Sequence, residues 1–194
     1  MKLKLLSFVF ILFTINSLSQ SKAELLNANT KLHQANYLME FDTIAELTYP
    51  KVYETNGKAA FVEKIESDFQ NEDYRMRLQL EKVPFLFSEF KTIGTQTFCI
   101  VRCRNPKRYT FEKKLTAAKA EEKKTFLQQK EKTQNVTFEP NRNSFNVRSE
   151  SIYVAIFDAE TMGEWKFFNL DDAFQLNAFN TLFDENLKIA LGLN

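Results

Sequence analysis

The chain has 194 residues, 44% hydrophobic and 14% aromatic, with 20 Phe, which is ample for a packed core in one domain. Only 4 Gly and 4 Pro argue against a sandwich made of many tight hairpins. The 26 basic and 25 acidic residues leave a formal net charge of +1, so there is no global positive field of the kind nucleic-acid binding requires.

Residues 1–19 read as a secretory signal peptide. Lys2 and Lys4 form a short positive start, Leu5 to Ile15 is nearly all apolar, and Ser17 and Ser19 place small residues before a cleavage point at Gln20. The apolar run is shorter than the roughly 18–20 residues a spanning helix needs. The expectation is an exported protein, periplasmic or extracellular. It is not lipid-anchored, because no Cys lies near the cleavage point, and its mature chain has no transmembrane segment. Removing Lys2 and Lys4 leaves 24 basic against 25 acidic residues, a formal net of −1 for a single domain over 20–194.

Within that domain, Leu25, Leu26, Ala28, Leu32 and Ala35 predict a first helix over 22–36. A short second helix over 41–49 carries Phe41, Ile44, Ala45 and Thr48 on one side and stops at Pro50. Asn56-Gly57 is a turn signal opening a third helix over about 58–70, with Phe61, Val62, Ile65 and Phe69 as its apolar stripe. After Asn71 the period changes to two. Tyr74, Met76, Leu78 and Leu80 alternate with Arg75, Arg77, Gln79 and Glu81, a half-buried strand. Strands over 85–93 and 95–104 follow, joined at Gly94. Residues 107–134 are rich in Lys, Glu, Ala and Gln, with a sparse apolar stripe, and read as a charged helical insertion between two strands that pair as a long hairpin. Ser144 to Asp158 resumes the sheet, its far half apolar on both faces as in a central strand. Trp165 to Asn169 is a last strand, and Asp171 could cap a closing helix through Phe183. Three helices, about five mostly antiparallel strands and a short helix make an α+β domain, with helices on one face of a curved sheet.

Charge is uneven along the chain. Arg104 to Lys132 carries ten basic and four acidic residues, net +6, while Asp158 to Glu185 carries one Lys and seven acids, net −6. Two solvated faces account for this, as does a basic arm for an acidic partner or for the chain's own acidic end. Cys99 and Cys103 lie on one predicted strand. Four residues of strand span about 13 Å, too far for a disulfide, so two reduced, buried thiols are expected.

The segments Leu47-Thr48-Tyr49-Pro50-Lys51-Val52, Asn56-Gly57-Lys58 and Gly163-Glu164-Trp165-Lys166-Phe167-Phe168 stand in an order of helices followed by strands. In this the chain resembles exported bacterial, Bacteroidetes-type members of the nuclear-transport-factor-2-like, cystatin-like cone superfamily. The resemblance spans nearly all of the mature chain except 107–134. It implies a cone in which a strongly bent, mostly antiparallel sheet wraps N-terminal helices around a pocket. The superfamily holds isomerases, dehydratases, cyclases and many pocketed proteins without activity, so fold alone does not assign a function.

The residues themselves offer little catalytic chemistry. His33 is the only His, and an ordinary helix His accounts for it. Glu89, in Phe87-Ser-Glu-Phe90, comes nearest to an acid in an apolar wall, and a solvent-facing Glu explains it equally well. No phosphate loop, metal-spaced cluster or Cys-x-x-Cys motif occurs, so neither metal nor cofactor is expected. Tyr49, Tyr53, Tyr74, Tyr153 and Trp165 combine apolar bodies with polar tips and suit a ligand pocket, with plain core packing as the competing reading. The expectation is a non-catalytic binding or protein-interaction domain. Its partner would be a small apolar ligand, another protein or a second copy of the chain. The alternative is a lyase or isomerase using a pocket carboxylate.

Overall fold

Leu25, Leu32 and Ala35 recur on one side of the first helix, α1 (22–38), and are buried against the rest of the molecule. The structure, a computed structural model, describes residues 22–81 and 83–193. The signal peptide read from 1–19 lies outside the described residues. Helix α2 (Phe41–Leu47) buries Ile44, Ala45 and Leu47. It ends before Tyr49-Pro50, where the chain turns extended and a 3-10 turn (Pro50–Val52) follows. Gly57, at φ +82°, supplies the left-handed residue from which helix α3 (Lys58–Phe69) starts, and Phe61, Ile65 and Phe69 form its buried stripe.

The sheet has seven antiparallel strands: β1 (Arg75–Leu78), β2 (Phe85–Phe87), β3 (Lys91–Ile93), β4 (Gln96–Thr110), β5 (Val136–Glu139), β6 (Ser144–Phe157) and β7 (Lys166–Asn169). Its spine is the long β4–β6 hairpin, paired from Thr97↔Phe157 to Thr110↔Ser144. On one side of the spine, β3, β2 and β1 pair with successive stretches of β4. On the other, β7 and β5 pair with β6, making β6 a central strand as its two apolar faces suggest. The sheet stays open, with β1 and β5 at its ends.

Several expectations change. The first strand ends at Leu78 and leaves Leu80 82% exposed, and the cap expected at Asp171 falls to Asp172. The strand expected over 85–93 is two strands. At the break, Ser88 N–H donates to Ile100 O and Ile100 N–H to Ser88 Oγ, each at 2.9 Å, so a side chain replaces one backbone rung. The insertion does not begin at 107, because β4 continues to Thr110. Pro106 falls where the partner of β4 changes from β2, ending at Cys103, to β1, starting at Lys107. Nor is the charged segment a detached arm. Its helix α4 (Ala117–Lys130) buries Ala120 and Leu127, and Phe111 before it is buried too. Asn143 clamps the approach to α4. At φ +49°, it donates from Nδ2 to Phe111 O and to Lys113 O, while Leu115 N–H donates to its Oδ1.

Helix α5 (Ala173–Leu182) is capped by Asp172, whose side chain accepts from Gln175 N–H at 2.8 Å. Helix α6 (Glu185–Leu191) ends the described chain. No helix among the described residues is long and apolar enough to cross a membrane.

Candidate ligand cavity

The helices and the sheet leave a cavity of about 960 Å³ between them. Its apolar wall is built by Leu32 of α1, Ile44 of α2, Ile65 and Phe69 of α3, and Met76 and Leu78 of β1. These are the inward positions of three amphipathic helices and of an alternating strand, so the wall follows from the same periodicity that makes the fold. Polar groups line it as well: Asn105, Lys107 and Tyr109 of β4, Lys130 and Glu131 at the end of α4, Ser149 and Tyr153 of β6, and the turn of residues 169–172 into α5, with the apolar Ile152, Leu170 and Phe174 among them. Met76 and Leu78 are the cross-strand partners of Tyr109 and Lys107, so apolar and polar lining meet on adjacent strands.

Most of these polar groups satisfy one another. Lys107 Nζ donates to Glu131 Oε2 at 2.6 Å, and the Tyr109 hydroxyl donates to Glu131 Oε1. The Lys107 and Glu131 side chains are only 11% and 6% exposed. Burial alone would push the Glu131 carboxyl up. The Lys107 charge, with the hydrogen bonds from Lys107 and Tyr109, outweighs burial and holds it below the usual carboxylate range. Burial and the neighbouring Glu131 charge push the Tyr109 phenol up, so it stays a donor. Lys64 is held similarly, donating to Asp68 at 2.7 Å and to Asp172. Lys130 lies 4.8 Å over the Tyr74 ring and donates to its hydroxyl.

Asp171 differs. No cation among the described residues comes within ion-pair distance of it. Burial pushes its carboxyl up, and the Ser151 hydroxyl, the Lys107 charge and the Ile152 N–H offset that only in part. Tyr153, which lines the same cavity, is also pushed up by burial, with the Asp171 charge among the further contributions. Asn105 is 8% exposed. Its Nδ2 donates to Ser151 Oγ at 2.8 Å, while its buried Oδ1 has no hydrogen-bond partner among the described residues.

Of the five aromatic residues expected to line a pocket, Tyr153 borders this cavity. Tyr74 stands just behind its wall, edge-on to the lining Tyr109 with ring centroids 5.0 Å apart. The other three are placed elsewhere. The Tyr49 hydroxyl donates to Asp158 at 2.9 Å, and its N–H donates to Phe167 O, fastening the end of α2 to β7. Tyr53 stacks on Phe61. Trp165 packs between Phe90 and Phe157, its Nε1 without a partner. The Thr48-Tyr49 and Trp165-to-Phe168 segments therefore meet, through a Thr48↔Phe167 bridge and the Tyr49–Phe168 ring contact.

His33 is half-buried against the edge of Phe85, its pKa lowered by burial, and Glu89 is exposed between β2 and β3. Neither lines the cavity. Cys99 and Cys103 are free and buried, and burial pushes the Cys103 thiol up to about 11. No group of three or more His, Cys, Asp or Glu among the described residues is arranged to hold a metal ion.

The residues that sequence reasoning missed are Asp171, Asn105, Lys107, Tyr109 and Glu131. Asp171 carried a signal, since it adjoins Asp172 and a helix takes one N-cap. The chain matches no protein-family model and no curated protein.

Proposed function

We propose that this chain is an exported binding protein that holds a small amphipathic molecule in the cavity between its helices and its sheet. The observation that carries the reading is a cavity lined by apolar side chains of the helices and β1 together with polar groups, among them the paired Lys107–Glu131 and Lys64–Asp172. A mostly apolar pocket with a few fixed polar groups is the usual form of a small-molecule site. Export rests on the pattern of residues 1–19, with a periplasmic or extracellular location. Helices preceding an antiparallel sheet, with a cavity between them, support membership of the nuclear-transport-factor-2-like cone superfamily. Native mass spectrometry of the protein purified from its own host tests the reading. A bound small molecule, released on denaturation and absent from a cavity-filling Ile65→Trp variant, is expected. Retention of the same molecule by that variant would place it elsewhere and refute the reading.

A second reading, a lyase or isomerase, is favoured by one observation. Two carboxylates in one cavity are pushed apart, Glu131 downward and Asp171 upward. Asp171 would then move the proton and Glu131 would stay ionised. Under this reading Asp171→Asn abolishes turnover of a bound substrate without releasing it.

A further inference from the structure

The ligand-binding reading leaves open which chemistry the cavity selects, and the pairing of its buried charges bears on that. Lys107 is matched by Glu131, and Lys64 is outnumbered by Asp68 and Asp172. Asp171 makes no ion pair among the described residues, although the Lys107 charge acts on it. The charged side chains lining the cavity number five cations and five anions, so what Asp171 lacks is a direct partner and not an overall balance of charge. Asn105, joined to Ser151, whose hydroxyl also meets Asp171, holds a second acceptor without a donor among the described residues. Its Nδ2 is committed to Ser151, so Oδ1 is the atom left over. A buried acceptor without a donor costs free energy that a bound donor would return.

Resting on the binding reading above, we infer that the cavity selects an amphipathic amine. The ammonium group is received by Asp171 and Asn105 Oδ1, and the hydrocarbon part lies on Ile65, Phe69, Met76 and Leu78. An acidic head group would meet Asp171 and Asn105 Oδ1, two acceptors with nothing to donate. A neutral alcohol would satisfy one acceptor and leave the half-buried Asp171 without a counter-charge. Only a cation with several N–H donors answers both vacancies. The exposed Lys130, Lys132 and Arg148 also line the cavity. They repel a free cation in water, and screening by salt weakens that repulsion more than the buried attraction.

Isothermal titration calorimetry on the full chain at pH 7 tests this with octylamine, octan-1-ol and octanoate, which share one tail. Octylamine is expected to bind about tenfold more tightly than octan-1-ol, a ratio typical of one added charge-assisted hydrogen bond, and octanoate most weakly. Asp171→Asn should erase the preference for octylamine, and a cooperative urea transition like that of the parent chain reports that the variant is folded. Asn105→Leu should weaken octylamine severalfold. Equal binding of all three probes, or a preference that survives Asp171→Asn, overturns the amine inference and leaves the cavity reading standing. No binding of any probe sinks both.

Discussion

Replacing Leu127 by Ala is expected to lower the unfolding free energy by about 3 kcal/mol. Leu127 is 0% exposed on α4, inside the segment that composition marks as a solvated insertion. The change removes the equivalent of about three methylenes at roughly 0.8 kcal/mol each, and incomplete collapse of the site adds a cavity cost within the usual range of about 2–5 kcal/mol. Ala is a strong helix former, so helix propensity contributes nothing to the loss. Phe126, its neighbour, is 42% exposed, and Phe126→Ala is the control, expected to cost under about 1 kcal/mol. Equilibrium urea unfolding followed by the fluorescence of the single, buried Trp165 reads both variants. A loss below about 0.5 kcal/mol for Leu127→Ala would show that α4 does not contribute to the core, and the description of residues 107–134 as an integral element would fail.

Glu131→Gln should cost roughly 3–5 kcal/mol at pH 7, since it leaves Lys107 buried without its counter-charge. The folded-state pKa of Glu131 is lowered, so its contribution is present above the unfolded carboxylate value and lost as pH falls through the folded one. The variant should therefore show a flatter acid limb in unfolding measured from pH 7 downward, and an unchanged slope would contradict the pairing. The raised pKa of Asp171 acts in the opposite sense, favouring the fold as pH falls, so the limb reports a difference between the two groups. Asn143→Ala removes the clamp on the approach to α4 and puts Ala at φ +49°; a loss of about 2–3 kcal/mol is expected in the same assay. Cys99 and Cys103 should label slowly in the native protein and fast in urea, and a mass two units low under non-reducing denaturing conditions would contradict the free thiols.

The fold was legible wherever burial is periodic along the chain. Helix α3 begins and ends within a residue of the expected span, because Gly57 and the Phe61, Ile65 and Phe69 stripe are local signals. The paired β4 and β6 strands were legible for the same reason. What failed was local evidence outvoted by distant partners. The strand expected over 95–104 stops short, but β1 and β6 flank β4 beyond it and carry it to Thr110. Phe111, Leu115, Ala118 and Phe126 read as too sparse a stripe to anchor a helix, whereas Ala120 and Leu127 are the residues that α4 buries, against a surface from elsewhere in the chain. The cavity was harder still. Lys107, Glu131 and Asp171 are ordinary charges in charged or capping contexts, and only the fold shows that two of them share a hydrogen-bonded pair while the third has none.

Asp171 and Asp172 show how little sequence separates support from function. Both sit at the start of α5, and a carboxylate at either position could cap the helix. The cap falls to Asp172, which also takes Lys64, so its charge is used twice in holding α3 to the turn before α5. Asp171, one residue earlier, therefore has no helix N-terminus to serve. It lines the cavity, with Ser151 and Ile152 N–H as partial compensation. Half-burying a carboxylate on those terms lowers stability, whereas the same position filled by Asn would keep a polar contact without the charge. The proposed amine would supply Asp171 with the ion-pair partner that no described residue provides.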